Sequence, residues 1–233
     1  MIDYLSVVGL LAAGKTTMVK GIQAASDAQM VEERFKENPW LEMFYEQPKK
    51  YAWVAQIHFL RSRWAQLEAA PRFVVEDGSP WADRVFARVQ HKLGNFGFGD
   101  EEEASASASS ADADDVAAEP SVNDMLMAEY EGIFELLRAA HADKVPSAIL
   151  VLDVTPETAH KRMVARDRDM EKAVPISYLR ALKEQYEVFV AEMAEVTAVY
   201  RLDYEEWRDG ATVWEALKAA HTPDKTGVFT LTL

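Results

Sequence analysis

The sequence predicts an α/β fold of three layers, with helices on both faces of a five-stranded parallel sheet. Two observations carry that expectation. Short apolar runs alternate with longer stretches at helical spacing along most of the 233 residues, the pattern left by βαβ units. The first apolar run ends in a glycine-bounded loop that opens directly into a helical stretch, the place where such a sheet presents backbone N–H groups to an anion.

The elements come in this order. Tyr4 to Val8 is a short apolar run closed by a glycine, which suits a buried strand. Met18, Val19 and Ile22 then recur at helical spacing. Long helical patterns fill 49–69, 124–141, 157–166 and 176–195. Arg72-Phe-Val-Val-Glu-Asp77 reads as a second strand, and Ala148 to Val154 as the clearest third. Thr155 comes next as a helix N-cap, with Pro156 at the first helical position. Val199 to Asp203 is a weaker strand, and the tail from Gly227 to Leu233 suits an edge strand. All of this fits one domain spanning 1–233.

Composition narrows the function classes. A formal net charge of −14 repels nucleic-acid phosphates, so no polynucleotide partner is expected. No apolar run approaches the roughly 18 residues needed to cross a bilayer, so no membrane partner is expected. The first residues lack a basic region, so no signal peptide is expected. The absence of cysteine excludes disulfides, thiolate metal sites and cysteine nucleophiles, and accords with a cytoplasmic setting. The histidines at 58, 91, 141, 160 and 221 show no metal-site spacing. Gly99 to Pro120 is acidic and nearly free of large apolar groups. Such a segment cannot offset its ordering entropy, so a mobile surface insertion is expected there.

Gly9-Leu10-Leu11-Ala12-Ala13-Gly14-Lys15-Thr16, with Thr17 next to it, matches G-x-x-x-x-G-K-[ST] in full. The glycines let the backbone fold around phosphate oxygens, and the helix N-terminus adds positive potential. Lys15 is placed to reach the β- and γ-phosphates of ATP, and Thr16 to ligate Mg²⁺. Asp77 closes an apolar strand where such folds set a second acid near the metal. The fold class becomes a P-loop NTPase-like three-layer sandwich.

The segment after the phosphate loop narrows the acceptor. Glu33 lies five residues before Asn38-Pro39; Phe44-Tyr45-Glu46-Gln47-Pro48 comes next, then Gln56-Ile-His-Phe59 and Arg63. Arg162, Arg166, Arg168 and Glu171 lie beyond the third strand. These ordered motifs resemble the deoxynucleoside kinase family, most closely its bacterial deoxyadenosine/deoxyguanosine branch, over nearly the whole chain. The resemblance implies a helical lid, a homodimer interface near the 49–69 helix, and transfer of the γ-phosphoryl group of ATP to a deoxynucleoside 5′-hydroxyl. It implies roles too. Glu33 is the general base that takes the hydroxyl proton. Tyr45 and Glu171 bond the sugar 3′-hydroxyl, and Gln56 reads the base. Arg63 and Asp83 favour adenine, guanine or cytosine over thymine, and Phe59 matches the purine enzymes. Arg162, Arg166 and Arg168 are lid arginines that close over the phosphates.

One position departs from the family pattern. Glu76-Asp77-Gly78-Ser79 puts glycine where the family carries an arginine. Arg34, beside Glu33, and Arg84 are the candidates to replace it. The sequence also leaves open a nucleoside monophosphate kinase, which shares the P-loop and an arginine-rich lid, and a catalytically impaired nucleotide-binding relative. Trp53, Ile57, Leu60, Trp64 and Leu67 form a stripe at spacings of 4, 3, 4 and 3, read as packing.

Overall fold

The structure is a computed structural model that describes residues 1–71, 73–97, 120–168, 171 and 173–233. Most of the predicted acidic insertion, and Arg72 of the predicted second strand, lie outside the described residues. In chain order the elements are β1 (Tyr4–Val8), α1 (Lys15–Ala24), β2 (Gln29–Val31), α2 (Leu41–Glu46), α3 (Pro48–Ala69), β3 (Val74–Asp77), α4 (Pro80–Lys92) and α5 (Val122–Ala140). Then come β4 (Ala148–Asp153), α6 (Pro156–Arg166), α7 (Ile176–Ala194), β5 (Ala198–Asp203), α8 (Gly210–Ala220) and β6 (Gly227–Thr230).

The sheet has six strands, not the expected five, in the order β2-β3-β1-β4-β5-β6 with every neighbouring pair parallel. The unexpected one is β2. Three residues are too few to show alternation, and only Val31 among them is buried. Its pairing with β3 holds it, starting where the Gln29 amide donates to the Phe73 carbonyl at 3.0 Å. The tail strand β6 takes the opposite edge beside β5.

Central strand β1 is buried along its whole length, as a parallel strand covered on both faces must be. Its flanking partners are β3 and β4, so the chain order reverses across β1. In open parallel sheets, ligands bind at such a switch point, beyond the C-terminal strand ends. Here the ends of β1, β2 and β3 deliver the P-loop, Glu33 and Asp77 to one rim.

Three helices escaped the sequence reading: α2, α4 and α8. Helix α4 carries a signal identical in kind to Thr155-Pro156. Ser79 caps it, its Oγ accepting from the Ala82 amide at 3.2 Å, and Pro80 comes next. The cap lets α4 start with only two residues between it and β3, which sets Asp83 in the first turn beside the rim. Arg84 and Arg88 of α4 then bind Glu131 of α5 and Glu192 of α7, with closest contacts of 2.9 Å each. A partly buried network of four charges orders three helices better than isolated surface pairs would. The stripe on α3 is packing where it is deepest: Leu60, Trp64 and Leu67 are buried. Trp64 stacks on His141, with ring centroids 5.0 Å apart.

Candidate active site

A cleft of about 630 Å³ opens along the rim, and Lys15, Glu33, Tyr45, Gln56, Asp83 and Arg166 all line it. At one end is the phosphate loop. Gly14 adopts φ +108°, and a Cβ there would stand 2.5 Å from the Trp207 ring. Only glycine fits, both for its backbone angle and for that contact. Leu11, Ala12, Gly14, Lys15, Thr16 and Thr17 face the cleft, while Gly9, Leu10 and Ala13 form the loop's buried side. The Lys15 ammonium donates to the carbonyls of Gly9 and Leu10, both at 3.1 Å. Burial lowers its pKa, and the nearby carboxylates of Asp77 and Glu33 oppose that fall.

Thr16 Oγ1 donates to Asp77 Oδ2. Burial raises the Asp77 pKa, with Lys15 pulling against it. Asp77 Oδ1 is buried without a hydrogen-bond partner among the described residues. A hydroxyl and a carboxylate with an unused oxygen form a hard oxygen donor set. That suits Mg²⁺, which takes few protein ligands and keeps waters and phosphate oxygens. No cluster of three or more His, Cys, Asp or Glu fit for a metal occurs among the described residues.

At the other end Gln56, on α3, is buried, and its amide makes no hydrogen bond among the described residues. Asp83 is buried too, and its Oδ2 has no hydrogen-bond partner among the described residues. Burial pushes its pKa up to about 7 against the pull of Arg63, and the charge of Glu33 adds to the rise. Arg63 Nε lies 2.8 Å from Asp83 Oδ1. Phe59 and Phe86 supply apolar walls.

Glu33 lies between the two ends. It is near enough to Lys15, Tyr45 and Asp83 to bear on the titration of all three. Burial raises the Tyr45 pKa, and the carboxylates of Glu171 and Glu33 contribute. Glu171 is buried and accepts from Arg166 and from Arg168, the latter at 3.4 Å.

Residues 5–106 and 107–220 match the sequence profile of the deoxynucleoside kinases. The chain belongs to the deoxynucleoside kinase family. It is 27% identical to the deoxyadenosine kinase of Dictyostelium discoideum, over 94% of this chain and 79% of that one. It is 26% identical to the deoxyguanosine kinase of Bacillus subtilis, over 82% of this chain and 80% of that one. Its fold is similar to that of deoxyadenosine kinase from M. mycoides solved with bound dCTP: TM-score 0.72 at 20% identity, over 93% and 97% of the two chains. Membership makes the protein a kinase.

Several residues of this deoxynucleoside kinase reach the cleft without a signal in the sequence. Trp207 lies in the loop between β5 and α8. In the fold it presses on Gly14 and stacks under the Arg162 guanidinium, 4.5 Å from its ring centroid. Arg162 donates to the carbonyls of Ala13, Tyr204 and Glu205 at 2.9, 2.7 and 2.9 Å. It thereby ties α6 to the phosphate loop, while Arg166 and Arg168 gather on Glu171. At the far end Gln90 donates to Tyr178 Oη at 3.0 Å and accepts from Asn95 at 2.7 Å. Gln90 and Tyr178 lie 88 residues apart, so no local pattern could reveal their contact.

Proposed function

We propose that this kinase transfers the γ-phosphoryl group of ATP to the 5′-hydroxyl of a deoxynucleoside, with purines preferred. One observation carries the reading. A single cleft has a phosphate loop at one end, Gln56 and the unpaired buried Oδ2 of Asp83 at the other, and a carboxylate, Glu33, between them. A nucleoside seated on Gln56 and Asp83 directs its 5′ end toward Glu33 and the loop.

In this reading Glu33 accepts the 5′-hydroxyl proton as that oxygen bonds to the γ-phosphorus. The bond to the β-phosphate oxygen breaks and ADP leaves. Lys15, Arg162, Arg166 and Arg168 stabilise the charge that develops on the transferred group. Thr16 and Asp77 would hold Mg²⁺, which would neutralise phosphate charge. Tyr45 and Glu171 bond the sugar 3′-hydroxyl. Asp83 Oδ2 accepts from an amino or ring N–H group of the base, and Gln56 pairs beside it. Thymine presents a carbonyl and a methyl there and leaves that oxygen unpaired, a mismatch that costs far more than a difference in size. The names of the relatives support a deoxypurine acceptor. A homodimer acting in the cytoplasm belongs to the same reading.

The test is direct: incubation with Mg·ATP and each deoxynucleoside and deoxynucleoside monophosphate in turn, with ADP as the readout. Formation of ADP with deoxynucleosides, fastest with a purine, is expected. Activity confined to monophosphates would replace the reading with a monophosphate kinase. That alternative needs further cations for an acceptor phosphate, and the space beside Gly78 is already taken by Arg63.

A further inference from the structure

Among the described residues, the charged partner of Glu33 is Arg63, at 2.6 Å from Nη2 to Oε1. Glu33 comes just after the shortest strand of the sheet and belongs to no helix, so its own backbone orders it weakly. Arg63 is anchored much more firmly. It projects from the 22-residue helix α3 and its side chain is 9% exposed. Its Nε lies 2.8 Å from Asp83, and its Nη1 donates to the Asp77 carbonyl at 3.1 Å. A buried guanidinium needs oxygen partners on every side to offset lost hydration. Here β3 and the Glu33 segment accept its hydrogen bonds, and Asp83 of α4 sets an opposite charge beside Nε.

Gly78 makes this placement possible. Its φ is +81°, and a Cβ there would stand 2.8 Å from Arg63 Nη1. A side chain at position 78 would push the guanidinium off the Asp77 carbonyl and away from Glu33. The other two arginines near the departure are committed elsewhere. Arg34 is exposed beside Glu37, at 3.7 Å. Arg84 is bound to Glu131 and Glu192.

We propose that Arg63 is the positioning residue for Glu33, acting from α3 through the space that Gly78 leaves free. One guanidinium then links the base-reading carboxylate Asp83 to the proton-accepting carboxylate Glu33. This rests on the reading of Glu33 as general base. A misplacement of about 1 Å at such a group can cost on the order of 10²-fold in rate.

The experiment compares Arg63→Met, Arg63→Ala, Arg63→Lys and Gly78→Ala with the full-length protein. Arg63→Met should lose on the order of 10²-fold in kcat while its Kd for Mg·ATP stays unchanged. Millimolar methylguanidinium should restore part of the kcat lost in Arg63→Ala, whose short side chain leaves it room, and none of the kcat lost in Glu33→Gln. Arg63→Lys should retain an intermediate rate. Gly78→Ala, which keeps every charge, should lower kcat in the same direction without changing the KM for ATP. Unchanged kcat in Arg63→Met and Gly78→Ala, with only the nucleoside KM raised, would overturn the proposal. Thermal melts give a readout independent of turnover. The Tm shifts of Glu33→Gln and Arg63→Met should depart from additivity in the double variant by roughly 2–10 °C. Additive shifts would overturn the Arg63–Glu33 couple, whatever the activity. Absence of transfer to any deoxynucleoside in the unmodified protein would instead sink the proposed function, leaving the melts to decide the couple.

Discussion

Thr16 Oγ1, in the first turn of α1, hydrogen-bonds one oxygen of Asp77 at the end of β3, and the other oxygen of Asp77 is left buried and unpaired among the described residues. The pair joins two points 61 residues apart at the C-terminal ends of neighbouring strands. The unpaired oxygen motivates the first prediction. Asp77→Asn should lower Mg²⁺-dependent turnover by at least about 10²-fold, the scale of losing one electrostatic stabiliser. Chelation of divalent ions should abolish turnover of the unmodified protein reversibly. Full activity of the variant over a Mg²⁺ titration would remove Asp77 from the metal site.

Glu33→Gln keeps the size of the side chain and removes its capacity to accept the hydroxyl proton. Turnover should fall by ~10²–10⁴-fold, the usual contribution of a general base. ATP binding, measured by calorimetry, should be intact, since the phosphate loop supplies its own contacts. Near-normal kcat would assign the proton to another group.

Base selectivity should track Asp83. Comparison of kcat/KM should rank a deoxypurine first, deoxycytidine behind it and thymidine last. Asp83→Ala should compress that ranking by losing more on purines than on thymidine, because the oxygen that thymidine leaves unpaired is gone. Thymidine as the best substrate of the unmodified protein would refute the assignment.

Stability should fall as pH rises toward the weakly alkaline range. Burial pushes Glu76 up to about 8 from its ordinary 4.5, and Asp83 up to about 7 from 3.8. The Tyr4 hydroxyl, which donates to Glu76, and the charge of Arg63 restrain the rise at Glu76; Asp83 and Asp77 add to it. Between the ordinary and folded values, the folded chain holds protons that the unfolded chain has released. That contribution is complete below about pH 4 and is lost through about pH 7 to 8. Glu76→Gln should flatten the portion between about pH 4.5 and 8, so that its Tm advantage over the unmodified protein grows from pH 5 to pH 9. Parallel Tm curves would show that Glu76 is ionised in the folded chain throughout that range.

Local rules were enough for the strand–loop–helix that holds the phosphate loop. Gly9, Gly14, Lys15 and Thr16 lie within eight residues, and their chemistry is a property of that short backbone. Buried strands β1 and β4 and the capped helix at Thr155-Pro156 were legible for the same reason: their signals are contiguous. Strand β2 was not, because three residues carry no period and it exists only through pairing with β3. Trp207 and the Gln90–Tyr178 contact were invisible too, since each meets its partner across the fold. Gly78 shows the division most sharply. The sequence showed an arginine missing there and offered Arg34 and Arg84 in its place. Only the packing of α3 against β3 and α4 brought the Arg63 guanidinium within reach of Glu33, Asp77 and Asp83 together. A buried charge goes where oxygens from several elements converge, and that convergence is set by helix packing rather than by neighbours in the chain.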